Sequence, residues 1–312
     1  MGASARGSEA MMELVGAWDG LGVVVRHDRP TGTWVFVALH DDTLGRPVGG
    51  CRMRVYDDPV DGLEDALRLA RGMTSKWAVL DLPFGGGKAV LALPGPLESD
   101  ARRELLLRFG GLLDSLGGAY ATGEDMGTTP EDMALLAEIS EHVHGVPGGP
   151  GPADPGPFTA AGVLAGTRAA LEARTGSGEL GGRTVLIQGV GDVGRPLAES
   201  LAAAGAKVLV SDVDVARVRE VAEAVGAEVV APHEVYGTEC DVFAPCAVGA
   251  VLNDDTVGRL RCRVVAGSAN NQLARPEHAG TLHDRGILYA PDYVINGGGA
   301  LTFGLVALGT VD

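Results

Sequence analysis

The sequence predicts an α/β protein with two domains. Its 312 residues are enough for roughly two hydrophobic cores. Near the middle, the segment GVPGGPGPADPGP (145–157) draws ten of its thirteen residues from glycine and proline, which argues against a helix or a central strand there. After this segment, strand-like and helical patterns alternate, as they do in a parallel sheet covered by helices.

The predicted elements follow in order along the chain. In the first half, the strand-like run WVFVALH (34–40) predicts a β-strand, and apolar residues at helical spacing predict helices within 62–80 and 101–116. Thr129 and Pro130 are typical cap and first-turn residues, and we expect a further helix from them to Ile139. In the second half, six runs predict strands: RTVLIQ, KVLVSD, AEVV, CDVFAPC, CRVVAGS and GILYAPDYV.

Composition and charge argue against several classes of function. The formal net charge is −16, and such an acidic protein disfavours nucleic acids and anionic membranes as partners. No stretch approaches the ~18 apolar residues of a membrane span, and the first residues lack the apolar core of a signal peptide. The four cysteines form no C-x-x-C pair, so we expect no metal site and a reducing, cytoplasmic location.

The segment DLPFGGGKAV (81–90) places three consecutive glycines before one lysine. A phosphate-binding P-loop would need a glycine at the position of Leu82 and a Ser or Thr at the position of Ala89, so that motif is excluded. Two interpretations stay open. Lys88 follows a tight turn and is solvated, or the glycines let the backbone approach a bound molecule closely.

A second glycine pattern predicts a dinucleotide site. Gly189, Gly191 and Gly194 form G-x-G-x-x-G between a strand-like run and a helical pattern, and Asp212 ends the next strand-like run. The glycines would let a pyrophosphate approach the N-terminus of the helix, where free N–H groups favour anions. A carboxylate at Asp212 suits a ribose diol and repels a 2′-phosphate. We therefore expect the cofactor NAD, with a turn-rich domain without cofactor as the alternative.

Further motifs occur in order along the chain: GGCRM (49–53), ARGMTSKWA (70–78), PFGGGKAV (83–90), TGEDMGTTPEDM (122–133), GVGDVG (189–194), CDVFAPCA (240–247), GSANNQL (267–273) and LYAPDYVINGGG (288–299). With them the sequence resembles the leucine, phenylalanine and valine dehydrogenases, within the wider glutamate dehydrogenase superfamily. The resemblance implies a substrate-binding and oligomerisation domain over 1–145, a linker over 146–157 and a Rossmann-like NAD-binding domain over 158–312. It implies the reversible NAD-dependent oxidative deamination of an apolar L-amino acid to its 2-oxo acid and ammonia.

Carried over position by position, the resemblance makes Lys88 and Asp125 catalytic residues and assigns Lys76 to the α-carboxylate of the substrate. It places six residues around the substrate or the nicotinamide: Gly49, Met73, Thr159, Asn270, Asn271 and Val294. Loss of hydride leaves an imine, to which water must add before ammonia leaves, and both steps need proton transfer. We expect Lys88 to be the general base and Asp125 to shuttle protons and balance charge. We expect Gly85–Gly87 to turn tightly, so that Lys88 reaches the reacting carbon.

Two rival functions stay open. Glutamate dehydrogenases have a lysine immediately before the paired glycines, where this chain has Val48. They have a residue with a hydroxyl group where this chain has Val294. These valines favour an apolar substrate side chain. A paralogue that is weakly active or inactive, and binds a nucleotide or a partner protein, is the other rival. Each site residue alone also has a plain structural explanation, and their joint occurrence in order favours the dehydrogenase.

The end of the chain leads to a prediction about assembly. Family members continue past the final glycine motif with several helices, whereas this chain stops at Asp312 after the apolar run ALTFGLVAL. We expect that run to pack on the NAD-binding domain or to be exposed. We also expect a homo-oligomer, preferably a dimer in which the strand WVFVALH pairs edge to edge with a second copy.

Overall fold

The computed structural model describes residues 2–148 and 154–310. The chain divides into two compact units, of which the first comprises Met1–Ala153 with Phe303–Asp312 and the second comprises Asp154–Thr302. Within the predicted linker, residues 149–153 lie outside the described residues. A helix already begins at Gly156, with Pro157 in its first turn, where the fixed backbone angle of proline is compatible with a helix. The second unit therefore begins within the predicted linker and ends before the predicted boundary at residue 312.

The first unit contains a five-stranded sheet with helices around it. Its elements are α1 (Gly2–Ala17), β1 (Gly22–Asp28), β2 (Thr33–Asp41), β3 (Pro47–Val55), α2 (Pro59–Val79), β4 (Gly85–Leu93), α3 (Ser99–Ser115), β5 (Ala121–Glu124) and α4 (Pro130–Ala137). The strand order is β1-β2-β4-β3-β5. The pairs β1–β2 and β2–β4 are antiparallel, and β3 is parallel to both β4 and β5.

Both faces of this sheet are buried. On β2, Phe36 and Ala38 belong to a core shared with α2, whereas Val35 and Val37 belong to a core shared with α3. This alternation follows from the two-residue period of a strand. On β4, Val90 faces the α2 core and Ala89 the α3 core. Lys88 therefore has the same orientation as Val90 and lies on the α2 side of the sheet.

The predicted helices of this unit are confirmed, and local sequence explains their starts. The side chain of Asp58 accepts a hydrogen bond from the backbone N–H of Val60 at the start of α2. Helix α4 opens with a capping box, in which Thr129 and Asp132 each bind the other's backbone N–H. Helix α4 ends at Ala137, short of the predicted Ile139.

The prediction of a tight turn at Gly85–Gly87 is wrong. These glycines begin the buried strand β4, and none of them has a positive φ. Their lack of a side chain instead allows close packing, because a Cβ at Gly86 would overlap Thr74 of α2, and one at Gly87 would lie 2.8 Å from the ring of Tyr120. Lys88 therefore lies on a strand that α2 contacts closely on one face and Tyr120 on the other.

The strand predicted to pair two subunits lies inside the sheet. Strand β2, which contains the run WVFVALH, is hydrogen-bonded to β1 on one side and to β4 on the other. Its backbone groups are already paired within the chain, so β2 cannot offer an edge to a second copy. The edge strand on this side is β1, which the sequence analysis did not predict.

The second unit contains a parallel six-stranded sheet. Its elements are α5 (Gly156–Thr175), β6 (Thr184–Gln188), α6 (Gly194–Ala203), β7 (Lys207–Ser211), α7 (Val215–Val225), β8 (Glu228–Val229), β9 (Val242–Pro245), β10 (Val264–Val265), α8 (Glu277–Asp284), β11 (Leu288–Tyr289), α9 (Asp292–Ile295) and α10 (Gly298–Ala307), the last of which continues past Thr302 into the first unit. The strand order β11-β10-β9-β6-β7-β8 is the 3-2-1-4-5-6 order of the Rossmann fold. The predicted α/β fold class is confirmed, and the six predicted strands are present.

The apolar end of the chain packs on the first unit. Residues from Phe303 onward belong to that unit, where Gly304 approaches Leu82, Phe84 and Trp77 so closely that a Cβ would have no room against Leu82. The expectation that this run packs on the second unit or is exposed holds only for its two ends, because residues 300–302 belong to the second unit and Leu308 is 44% exposed, whereas the middle of the run belongs to the first unit. The reason is tertiary, because an apolar run by itself does not specify which apolar surface will bury it.

Candidate active site

A buried ion pair joins the two predicted catalytic residues. The Nζ atom of Lys88 lies 2.8 Å from Oδ2 of Asp125, and the two side chains are only 5% and 17% exposed. Burial alone would raise the pKa of the Asp125 carboxyl, but the positive charges of Lys88 and Arg52 outweigh it and hold that pKa far below its ordinary value. Asp125 is therefore a carboxylate in direct contact with the side-chain nitrogen of Lys88, in a site largely closed to water.

The turn after β5 brings Asp125 to Lys88. The hydroxyl of Thr128 donates to the carbonyl of Cys51 on β3 and accepts from the backbone N–H of Asp125, which ties the turn to the sheet. On β3, Gly50 leaves room for this turn, because a Cβ there would lie 2.7 Å from the carbonyl oxygen of Glu124 and 2.8 Å from Cβ of Asp125. The two residues are 37 positions apart in the chain and meet through strand pairing.

Helix α2 brings two more predicted residues to the same side of the sheet. Lys76 is buried in the last turn of α2, and Met73 lies one turn earlier, against Gly49 of β3. The indole N–H of Trp77 donates to the carbonyl of Val48 at 2.9 Å, which holds the end of α2 on β3. The first unit thus places Met73 against Gly49. Trp77 links the same helix to Val48, and Lys76 also lies on this helix.

In the second unit, the glycine pattern lies between β6 and α6. Gly189 has a φ of 97°, in the left-handed region that favours glycine. A Cβ at Gly194 would overlap the carbonyl oxygen of Gly189, whereas nothing lies within 4 Å of a Cβ at Gly191. The loop is therefore tight where it turns and open at Gly191, where a ligand could approach the backbone.

The carboxylate of Asp212 follows β7 and is held against this loop. Its oxygens accept hydrogen bonds of 2.9 Å from the backbone N–H groups of Val190 and Asp214. Its side chain is 8% exposed, and Arg217 lies 4.0 Å away. A carboxylate has about four acceptor positions, so these two bonds leave capacity for a ribose diol.

The remaining predicted residues lie around the ends of β10 and α9. Asn270 accepts a hydrogen bond from the amide of Asn296, and the backbone N–H of Asn271 donates to Asp292. Asn271 has a φ of 52°, and the Asp292 contact stabilises this unusual backbone. Val294 is half exposed on α9. Thr159 lies near the backbone of Gly298, and a Cβ at Gly299 would lie 2.7 Å from the Thr159 hydroxyl.

The part of the chain that the structure describes contains neither a cluster of metal-ligating side chains nor a membrane-spanning helix. Across 2–148 and 154–310, no three or more His, Cys, Asp or Glu residues form a group that could hold a metal ion. Over the same ranges, no helix is long and apolar enough to cross a membrane.

Comparison with known proteins decides the family. The sequence model described as "Glu/Leu/Phe/Val dehydrogenase, dimerisation domain" matches residues 25–142, and that of "Glutamate/Leucine/Phenylalanine/Valine dehydrogenase" matches residues 210–307. Leucine dehydrogenase of Geobacillus stearothermophilus is 44% identical over 280 residues, which cover 89% of this chain and 76% of that protein. The chain belongs to the Glu/Leu/Phe/Val dehydrogenase family.

Other relatives of this amino-acid dehydrogenase have different names. Phenylalanine dehydrogenase of Bacillus thermotolerans is 42% identical over 287 residues, which cover 89% of this chain and 74% of that protein. The crystal structure of L-tryptophan dehydrogenase from Nostoc punctiforme superimposes with a TM-score of 0.73 at 37% identity, covering 98% of this chain and 86% of that one. The dehydrogenase is thus an oxidoreductase, and enzymes of this family use a nicotinamide cofactor.

The dehydrogenase also has polar residues in contact with the predicted site residues that the sequence analysis did not select. Arg52 shares the Asp125 carboxylate with Lys88, and Asn296 and Asp292 hold Asn270 and Asn271. All three lie inside motifs that carry the family resemblance, so their positions were available. Nothing in the local sequence indicated that their side chains turn toward the site.

Proposed function

We propose that this enzyme catalyses the reversible NAD-dependent oxidative deamination of an apolar L-amino acid. The products are the 2-oxo acid, ammonia and NADH. The observation that carries this proposal is the buried Lys88–Asp125 pair, with 2.8 Å between Nζ and Oδ2. A buried lysine next to a carboxylate in the substrate-binding half of such an enzyme has the chemistry that the proton transfers require.

The residues of the first unit are assigned to the substrate. Lys76 binds the α-carboxylate, which fixes the α-carbon and its amino group. Bound NAD supplies the hydride acceptor for the α-carbon. Neutral Lys88 takes a proton from the water that adds to the imine carbon and gives it to the amino nitrogen. It then takes the proton of the new hydroxyl group as the C–N bond breaks, so that the 2-oxo acid forms and ammonia leaves. Asp125 holds the Lys88 ammonium group in place.

The residues of the second unit are assigned to the cofactor. Gly189, Gly191 and Gly194 would cradle the pyrophosphate, and the open space at Gly191 is compatible with close approach of a phosphate. Asp212 would accept hydrogen bonds from the adenosine ribose. Its negative charge would lie against the 2′-phosphate of NADP, so we propose a preference for NAD. Asn270 and Thr159 are assigned to the nicotinamide end of the cofactor.

The substrate side chain is assigned as apolar. Val48 and Val294 stand where glutamate dehydrogenases have a lysine and a hydroxyl, and a glutamate side chain against valines would leave a carboxylate without a partner, at a cost of several kcal/mol. Gly49, Met73 and Asn271 would complete the contacts with the substrate. The relatives named for leucine, phenylalanine and tryptophan agree with a large apolar side chain and leave open which one is preferred.

The decisive experiment measures NADH formation at its absorbance with a panel of L-amino acids, each with NAD and with NADP. We expect turnover of one or more of leucine, valine, phenylalanine and tryptophan, a higher kcat/KM with NAD, and little turnover of glutamate. Lys88→Ala should lower kcat roughly 10²–10⁴-fold and leave NADH binding unchanged. The matched control is Lys207→Ala, at an exposed lysine of β7. Efficient use of glutamate alone, or normal turnover by Lys88→Ala, would overturn the proposal.

A further inference from the structure

A third charged residue lies behind the Lys88–Asp125 pair. The side chain of Arg52 is only 9% exposed and bridges two carboxylates. Its Nε atom donates to Oδ2 of Asp125 at 3.1 Å, and its Nη1 atom donates to Oδ2 of Asp65 at 2.7 Å. The phenol of Tyr56 donates to the same oxygen of Asp65 at 2.6 Å. These contacts form a continuous chain from Tyr56 to Lys88.

Strand geometry explains why Arg52 and Lys88 meet the same carboxylate. Cys51 and Met53 face the α3 core, so Arg52 between them points to the other face, toward α2. Strands β3 and β4 pair in parallel, with Arg52 opposite Val90, which is on the same face as Lys88. Oδ2 of Asp125 is consequently within reach of a cation from each strand.

The charges of this cluster are balanced as it stands. Arg52 and Lys88 supply two positive charges, and Asp65 and Asp125 supply two negative ones. Burial alone would lower the pKa of Arg52, but the charges of Asp125 and Asp65 raise it above its ordinary value. Arginine does not lose its proton in proteins, so one of the two cations on Asp125 is permanent.

We infer that Arg52 is a positioning residue that keeps Asp125 as a fixed carboxylate, so that Lys88 alone carries the proton exchanged during turnover. This inference rests on the proposed function and deepens it. It replaces the expected role of Asp125 as a proton shuttle. A carboxylate that accepts from two cations through one oxygen is held at the lysine, and protonating it would leave Arg52 without one of its two anions.

The other titratable groups near Asp125 do not compete for this role. On the α3 side, Cys51 and Tyr120 are fully buried; burial, with a contribution from Asp125, raises the pKa of both groups far above neutrality. Burial, with the charge of Asp65, likewise raises the pKa of Tyr56. These three groups stay neutral across the working range. From the adjacent elements, the charged groups with the largest effect on Asp125 are Lys88 on β4 and Arg52 on β3, and Asp65 of α2 lies behind Arg52.

The planar guanidinium matters because two carboxylates must be reached from one side chain. Nε and Nη1 project in different directions and donate to different residues. The ammonium group of a lysine is a compact point charge. It would preserve the positive charge at this position but could not donate in two fixed directions to both carboxylates. Arg52→Lys therefore separates the charge of Arg52 from its geometry.

The test compares the pH dependence of kcat in the intact enzyme for Arg52→Gln and Arg52→Lys, with the best amino acid from the panel. Loss of the Arg52 charge removes one of the two cations that lower the pKa of Asp125. With one positive charge fewer, the buried cluster around Asp125 holds a proton more strongly, so the acid limb of the kcat profile moves to higher pH in Arg52→Gln. Near neutral pH we expect kcat to fall roughly 10²-fold, with little change in KM for the amino acid. Arg52→Lys should recover part of kcat and keep the acid limb of the wild type.

The control is Arg108→Gln, which breaks another Arg–Asp pair of the same unit, between Arg108 and the buried Asp28, away from Lys88. It should lower stability and leave the profile unchanged. If Arg52→Gln does not fold, the double variant Arg52→Gln/Asp65→Asn leaves no unpaired carboxylate at Asp65 and should still move the acid limb upward. A folded Arg52→Gln or double variant with the wild-type profile would overturn the inference. If the profile is unchanged but Lys88→Ala is inactive in the same assay, the proposed function stands and only the inference about Arg52 fails.

Discussion

At the scale of single residues, Gly50 sets how closely Asp125 can approach the sheet. A Cβ at this position would meet the backbone of Glu124 and the Cβ of Asp125, and neither of these atoms can move without moving the whole turn. The hydroxyl of Thr128 holds that turn on β3 from the other end. The 2.8 Å contact between Lys88 and Asp125 therefore depends on a residue that touches neither charge.

We predict that Gly50→Ala lowers kcat roughly 10²-fold, since a displacement of about 1 Å in a catalytic group has an effect of that size. Overpacking should also reduce the free energy of unfolding by about 1–3 kcal/mol. Steady-state kinetics and urea unfolding measure the two effects. Wild-type kcat in a folded Gly50→Ala enzyme would show that the position of Asp125 does not depend on this glycine.

At the scale of elements, the glycines of α3 and β4 have opposite consequences. Gly85, Gly86 and Gly87 in β4 are each contacted where a side chain would be, whereas Gly111 in α3 is exposed and has nothing within 4 Å of a Cβ. In β4 the absence of a side chain permits packing against α2 and Tyr120. At Gly111 of α3 it only increases the entropy that the chain loses on folding.

We predict that Gly111→Ala raises the free energy of unfolding by about 1 kcal/mol, because alanine is the better helix former by that amount. The same substitution at Gly86 should destabilise strongly, because Thr74 and the backbone of α2 occupy the space. The midpoint of urea denaturation at constant m value reports both changes. A Gly111→Ala protein no more stable than the wild type would contradict the prediction.

At the scale of the whole molecule, the first unit leaves β1 as an open edge. Among the described residues, β1 is hydrogen-bonded in the sheet to β2 alone, and Val25 at its centre is 46% exposed. The family model described as a dimerisation domain begins at residue 25, within this strand. An unpaired edge of this kind satisfies its backbone groups by pairing with another chain, so we expect a homo-oligomer that contains a β1–β1 contact.

The prediction for assembly uses Val25→Lys. If two copies pair about a two-fold axis through the middle of β1, Val25 lies opposite its own copy, and two lysines there repel each other. Light scattering should show a smaller mass, or a dimer Kd raised about fivefold. The control is Val229→Lys on β8, an edge strand of the other sheet with 51% exposure. A monomeric wild type, or equal effects of the two substitutions, would argue against pairing through β1.

The sequence by itself determined the features that depend on neighbouring residues. The capping residue Thr129 predicts the start of α4, and alternation of strand and helix patterns predicts the parallel sheet of the second unit. Gly189, Gly191, Gly194 and Asp212 were predicted as one group, because a loop and the end of the next strand bring them together within 24 residues. Family motifs then predicted Lys88 and Asp125 as catalytic residues, and the structure contains their contact.

Only the tertiary structure decided the features that depend on strand pairing and on which surfaces meet. Gly85–Gly87 look like a turn in the sequence, yet they form a strand because α2 and Tyr120 pack where their side chains would be. The strand-like run in β2 looks like an edge, yet β1 and β4 pair with it on both sides. Arg52 turns toward Asp125 and Asp65 because of its register on β3, and a residue in a known motif does not reveal its orientation. Burial and long-range strand pairing depend on how the whole chain packs, so no short stretch of sequence specifies them.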